Sequence, residues 1–129
     1  PWTVKNFVAK DRAKNRGGKG AARWRSVRSG GDLAITHFKI LSLHTGALLI
    51  EARPQTGRTH QIRVHLSEQG MPILGDQHYG FKNQAFDFEI PRVMLHASAL
   101  TFKHPIHHNQ MTVLSPVPED FQKCLNQLK

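Results

Sequence analysis

Arg58, Thr59, His60, Gln61, Arg63 and His65 fall within eight residues of one another, inside the stretch EARPQTGRTHQIRVHLSEQGMPILGDQHYG (51–80) of a 129-residue chain. Guanidinium, imidazole and amide groups at this density suit three tasks: gripping phosphate, keeping a carboxylate ionised, or tying down a loop. They also pose a question, because the segment crowds polar side chains where an amphipathic helix should be building a core. If they serve chemistry, the reacting group has to be found.

The pattern after Thr56-Gly57 changes to a helical period. Thr59 is expected to cap a helix whose Ile62, Leu66 and Gln69 share one face, with His65 at its edge and Gly70 supplying a left-handed stop. Arg63 lies off that face, toward His60 and Ser67. The first turn, with Arg58 to Gln61, offers backbone N–H groups and the positive end of the helix dipole, which favour phosphate. Arg58 therefore reads as an RNA-backbone or turn-fixing residue, and His60 and Gln61 as hydrogen-bonding residues that hold the loop. His65 reads as a satisfied core histidine. Asp76, in LGDQHYG, reads as a turn residue that caps backbone amides, and Tyr79 as a side chain packed beneath the helix.

Upstream, LAITHFKILSL and ALLIEA alternate like the two strands of a hairpin, with Gly46 at the turn and Pro54 ending the second strand. WTVKNFVA (2–9) reads as a strand, with another short one around Trp24 and Val27. Downstream, VMLHASALTFKHP and NQMTVLSP read as two strands joined by HPIHHN. PEDFQKCLNQL reads as a closing helix with Pro118 and two acids in its first turn and Phe121, Leu125 and Leu128 on one face. The fold class predicted is α+β, a mixed and mostly antiparallel sheet flanked by helices, in one domain without internal repeats.

Composition narrows the function classes. No run is long and apolar enough for a membrane span. The single cysteine, Cys124, excludes an intrachain disulfide and suits a reducing, cytoplasmic setting. The formal charge is +9, and residues 1–30 hold nine of the 18 basic side chains against Asp11 as their one acid. So uneven a distribution points to a polyanionic partner, and Lys14, Arg16 and Arg25 are the candidate RNA contacts. Trp24, between Arg23 and Arg25, either stacks on a base or pins the loop to the core. His104, His107 and His108 invite a metal reading, but their spacing matches no helical ligand pair and no cysteine accompanies them, so no metal or other cofactor is expected.

The block GRTHQIRVHLSEQGMPILGDQHYG (57–80) closely resembles the third motif of the RluA-type pseudouridine synthases and the Gly-Asp-x-x-Tyr-Gly element that follows it. LHASALTFKHP (95–105) is similar to that family's C-terminal strand, and the hairpin before the block is similar to the family's approach to it. The likeness spans about residues 33 to 116, and a run in this order and spacing is far more specific than an isolated motif. It implies conversion of uridine to pseudouridine in ribosomal or transfer RNA, by an aspartate and without a cofactor. It also implies a basic cleft into which the target base is flipped. Arg63 then corresponds to the arginine that pairs with the catalytic aspartate.

The departure from the family is equally specific. The aspartate normally stands upstream in Arg-Leu-Asp-x-x-Thr-Ser-Gly, and this chain has no Arg-Leu-Asp. Its upstream aspartates, Asp11 and Asp32, lack that context. With Pro1 as first residue, the expectation is the C-terminal portion of a synthase catalytic domain. It would comprise a basic Gly-rich segment (1–31) and a folded core (32–129), would be inactive without the N-terminal half, and would leave Arg63 facing an empty half-site. The competing readings are a non-catalytic RNA-binding module that retains the motif block and, further back, a metal-dependent hydrolase built on the histidines.

Overall fold

The computed structural model describes residues 1–12 and 21–128. Ten regular elements follow one another: strands β1 (Trp2–Lys10), β2 (Trp24–Val27), β3 (Asp32–His44) and β4 (Ala47–Pro54), helix α1 (Gln61–Glu68), two single-turn 3₁₀ segments (Gln77–Tyr79 and Asn83–Ala85), strands β5 (Ala99–Lys103) and β6 (Gln110–Leu114), and helix α2 (Glu119–Gln127). The first four strands form an antiparallel sheet in the order β2-β1-β3-β4, and β5 with β6 makes a separate ribbon. The hairpin turn uses Gly46 at φ 79°, where a side chain would be strained.

Period-2 alternation decides which face of the sheet is covered. Ala34, Thr36 and Phe38 of β3 are buried, as is Val8 of β1, while their odd-numbered neighbours are more open. Two apolar clusters result. Phe38, Leu66, Ile73, Met94 and Cys124 form one, beside Trp2, Ile62 and Phe121, and Val8, Ala34, Val64 and Tyr79 form the other, beside Trp24.

Three details depart from the sequence reading. β1 lies inside the sheet, paired to β3 from Trp2↔Phe38 through Val8↔Asp32 and to β2 on its other edge, so the folded core begins at Trp2 and not at residue 32. The cap of α1 is His60, in a left-handed conformation (φ 55°, ψ 21°) and without a side-chain cap bond, in place of Thr59. The buried side of α1 is Gln61, Val64, His65 and Leu66, so the helix turns two polar residues toward the sheet and leaves Gln69 exposed. Physically, Thr36 in the middle of β3 offers a buried hydroxyl that an apolar stripe would leave unpaired.

Candidate active site

The hydrogen bonds of Gln61 explain why this polar side chain is buried. Its Nε2 donates to the Ile35 carbonyl and the Thr36 hydroxyl, both at 2.9 Å, while its Oε1 accepts from the Thr56 hydroxyl at 2.6 Å and from the Arg58 backbone N–H at 3.1 Å. One amide thereby ties the 55–60 loop to β3, which takes over the work expected of a Thr59 cap. Arg58 reinforces it, its Nε donating to the Leu33 carbonyl at 3.0 Å, and is a strap across the turn. Thr59 is exposed.

His65 is fully buried, with Nδ1 2.9 Å from the Thr36 hydroxyl and Nε2 2.8 Å from Asn6 Oδ1. Burial lowers its pKa, and Glu68 opposes that only in part. The unfolded chain binds a proton here near pH 6.5, and the folded chain only at lower pH. Stability is therefore complete above about pH 7 and is lost as the pH falls through 6.5 toward the folded pKa, by up to about 1.4 kcal/mol per pH unit for each such histidine. Thermal melts between pH 5 and 8 should show this slope, and His65→Gln should flatten it.

Arg63 leaves the opposite flank of α1. Its Nε and Nη2 donate to Oδ2 and Oδ1 of Asp76 at 2.7 and 2.8 Å, a parallel two-bond fork. The Asp76 side chain is 1% exposed and that of Arg63 is 21% exposed. The expectation that Arg63 lacks a carboxylate in its own chain is thus corrected. Asp76 fills one side of the guanidinium, and the hydrogen bond it accepts raises the arginine pKa further. Asp76 also has the turn role read from the sequence, because Oδ1 accepts from the Tyr79 N–H at 3.3 Å. Sequence reasoning gives Asp76 only the role of a cap. The signal it passed over is that a buried carboxylate needs a cation, and Arg63 is the cation of the same motif block.

Tyr79, buried in the second cluster, joins the rest of the site. Arg63 lies 4.8 Å from its ring centroid and Arg23 5.2 Å. Its hydroxyl is 2.7 Å from His60 Nδ1 and accepts from the Trp24 N–H at 3.0 Å. Trp24 packs edge-on to His60 with centroids 5.2 Å apart, so it pins the basic segment to the core. Burial, then Arg63 and His78, lower the His60 pKa, and burial raises that of Tyr79. At neutral pH the centre is a guanidinium–carboxylate pair, Arg63 with Asp76, flanked by the uncharged His60 imidazole and Tyr79 phenol. The left-handed His60 backbone places its ring there.

Arg25 is largely exposed beside this centre, 3.7 Å from Asp11. Lys14 and Arg16 lie outside the described residues. Among the described residues no group of three or more His, Cys, Asp or Glu side chains is arranged to hold a metal. His104 instead accepts the Ile106 and His107 N–H groups through Nδ1 and stacks on the His107 ring.

A guanidinium held by one carboxylate, on a helix approached by a basic strand, is suited to bind a second anion. The profile of the RNA pseudouridylate synthase family matches residues 5–68, which cover the four-stranded sheet from Lys5 onward and all of α1. The chain belongs to the RNA pseudouridine synthase family. Ribosomal large subunit pseudouridine synthase D of Haemophilus influenzae is 40% identical over 114 residues, covering 81% of this chain and 35% of that protein. Ribosomal large subunit pseudouridine synthase C of Yersinia pestis is 40% identical over 108 residues, covering 80% of this chain and 33% of the relative. The solved human RNA Pseudouridylate Synthase Domain Containing 1 superposes with a TM-score of 0.67 at 28% identity, over 89% of this chain and 47% of that one. The chain spans about a third of the length of the curated relatives it matches. A second solved human structure, RNA Pseudouridylate Synthase Domain Containing 4, shares the fold with a TM-score of 0.65 at 23% identity, over 99% of this chain and 57% of that one.

Proposed function

We propose that residues 1–129 form part of the catalytic domain of an RNA pseudouridine synthase, contributing the site arginine and a basic approach for the RNA. The observation that carries this reading is the Arg63–Asp76 fork, which holds a cation in place with donors to spare. Asp76 is buried and committed to Arg63 and to the Tyr79 N–H, so it is poorly placed to attack a ribose. The nucleophile is then an aspartate from a segment carrying the Arg-Leu-Asp motif, outside these 129 residues.

In the reaction, that aspartate attacks C1′ of a flipped uridine, forming an ester as the N1–C1′ bond breaks. The freed uracil anion turns, C5 bonds to C1′ as the carboxylate leaves, and the proton lost from C5 is matched by one gained at N1, so the product is an isomer and no cofactor is consumed. Arg63 keeps the nucleophile ionised and aligned. The relatives' names point to ribosomal RNA as the substrate, with transfer RNA the alternative, and the single cysteine suits a cytoplasmic setting. Residues 1–129 joined to a segment with the Arg-Leu-Asp motif should convert uridine in ribosomal RNA transcripts, read by nucleoside chromatography. If neither ribosomal nor transfer RNA gains pseudouridine, the proposal fails.

The basic segment makes a separate prediction. RNA binding by this chain should weaken with salt. Replacing Lys14, Arg16 and Arg25 with glutamine should lower the slope of log K against log salt by about 2, at roughly 0.7 per single-strand phosphate contact. Filter binding from 50 to 300 mM salt measures it, and an unchanged slope would remove these residues from the RNA path.

A further inference from the structure

We infer that Asp76 is a positioning residue for the isomerisation: it grips Arg63 along the Nε–Nη2 edge, so that the Nη1–Nη2 edge is presented to a second carboxylate, the nucleophile. The inference rests on the synthase reading above and adds a role within it. A guanidinium has five N–H donors, and the fork to Asp76 uses two of them. Both hydrogens on Nη1 and one on Nη2 have no protein acceptor among the described residues. One face of the guanidinium lies over the Tyr79 ring at 4.8 Å, which resists tilting, and the side chain is open to solvent over 21% of its surface.

Asp76 is itself immobilised. Its N–H donates to the Ile73 carbonyl at 3.0 Å, its carboxylate accepts the Tyr79 N–H, and the side chain is 1% exposed. The preceding Gly75 sits at φ 81°, with the Arg92 carbonyl where a Cβ would go. The turn cannot drift, so neither can the fork. With Asp76 in place, an incoming carboxylate finds a single open edge in a set direction. Without it, Arg63 can rotate about its long side chain and meet the nucleophile in several geometries.

Asp76→Asn separates this role from the turn. The amide keeps an oxygen to accept the Tyr79 N–H but breaks the two-oxygen fork. In residues 1–129 joined to the Arg-Leu-Asp segment, the variant should retain its fold and its KM for RNA within about three-fold while kcat falls about 100-fold, the scale of a misplaced catalytic group. A variant with wild-type kcat, against an active wild type, overturns the positioning role alone. A wild type that leaves uridine untouched overturns the synthase reading.

A second measurement needs neither activity nor a variant. In side-chain ¹⁵N–¹H spectra of the 129-residue chain titrated with formate, the Arg63 Nε–H should exchange slowly and hold its position while the Nη resonances move. An Nε–H that exchanges as fast as those of the exposed arginines overturns the fork in solution. Nη resonances that ignore formate while Nε responds overturn the open edge.

Discussion

Replacing Arg63 by methionine should lower uridine isomerisation by about 10³-fold, the scale seen when one preorganised charge-stabilising donor is removed. It should also destabilise the fold by about 3–5 kcal/mol, because the Asp76 carboxylate is left buried without its cation. Urea titrations measure the stability loss, and single-turnover rates the catalytic one. A variant as stable as the wild type would mean that Asp76 is solvated or paired elsewhere.

The second large effect is expected at Gly75. An alanine Cβ there would lie 2.0 Å from the Arg92 carbonyl oxygen and 2.6 Å from its carbon, at φ 81°. Both obstructions are backbone, so no side chain can rotate out of the way. Met94 N–H also bonds the Leu74 carbonyl at 2.8 Å, which holds the 92–94 segment against the turn. Gly75→Ala should cost on the order of 4 kcal/mol, among the largest single-residue effects. Gly70→Ala is the control. Gly70 has a similar φ of 76° but nothing within 4 Å, so only the left-handed penalty of about 1–2 kcal/mol applies. Equal losses in thermal melts would show that strain alone, and not the close approach of two backbones, governs the Gly75 turn. Because Asp76 follows directly, the surviving Gly75→Ala protein should also have lost order at Arg63.

Much of this was legible from residue patterns for identifiable reasons. The β3–β4 hairpin declares itself through alternation and Gly46, and the ends of α1 through the change of period and Gly70. The motif block identifies the family because its residues occur together in order. What the sequence concealed depends on contacts across the chain. The cap of α1 was misread because Thr59 has the right type, yet the Gln61 side chain already secures the loop through β3 residues 25 and 26 positions away. The side of α1 facing the sheet was legible in part: Leu66 is buried and Ile62 packs on the core as expected, but Gln61 and His65 also turn to β3 because Thr36 demands polar partners. The pairing of Arg63 with Asp76, 13 residues apart, needed the turn geometry that brings them together. The central place of β1 was hidden by the basic residues around it, which drew attention to charge and away from alternation.

The central claim is that these residues hold the arginine side of an isomerase centre whose nucleophile comes from elsewhere in the polypeptide. Release of tritium from ribosomal RNA labelled at C5 of uridine tests it most directly, because forming the C5–C1′ bond expels that hydrogen. The 129-residue chain alone should release none, and the same chain joined to a segment carrying Arg-Leu-Asp should release it, with the release falling sharply in Arg63→Met. Release by the 129 residues alone, or equal release with and without Arg63, would contradict the account.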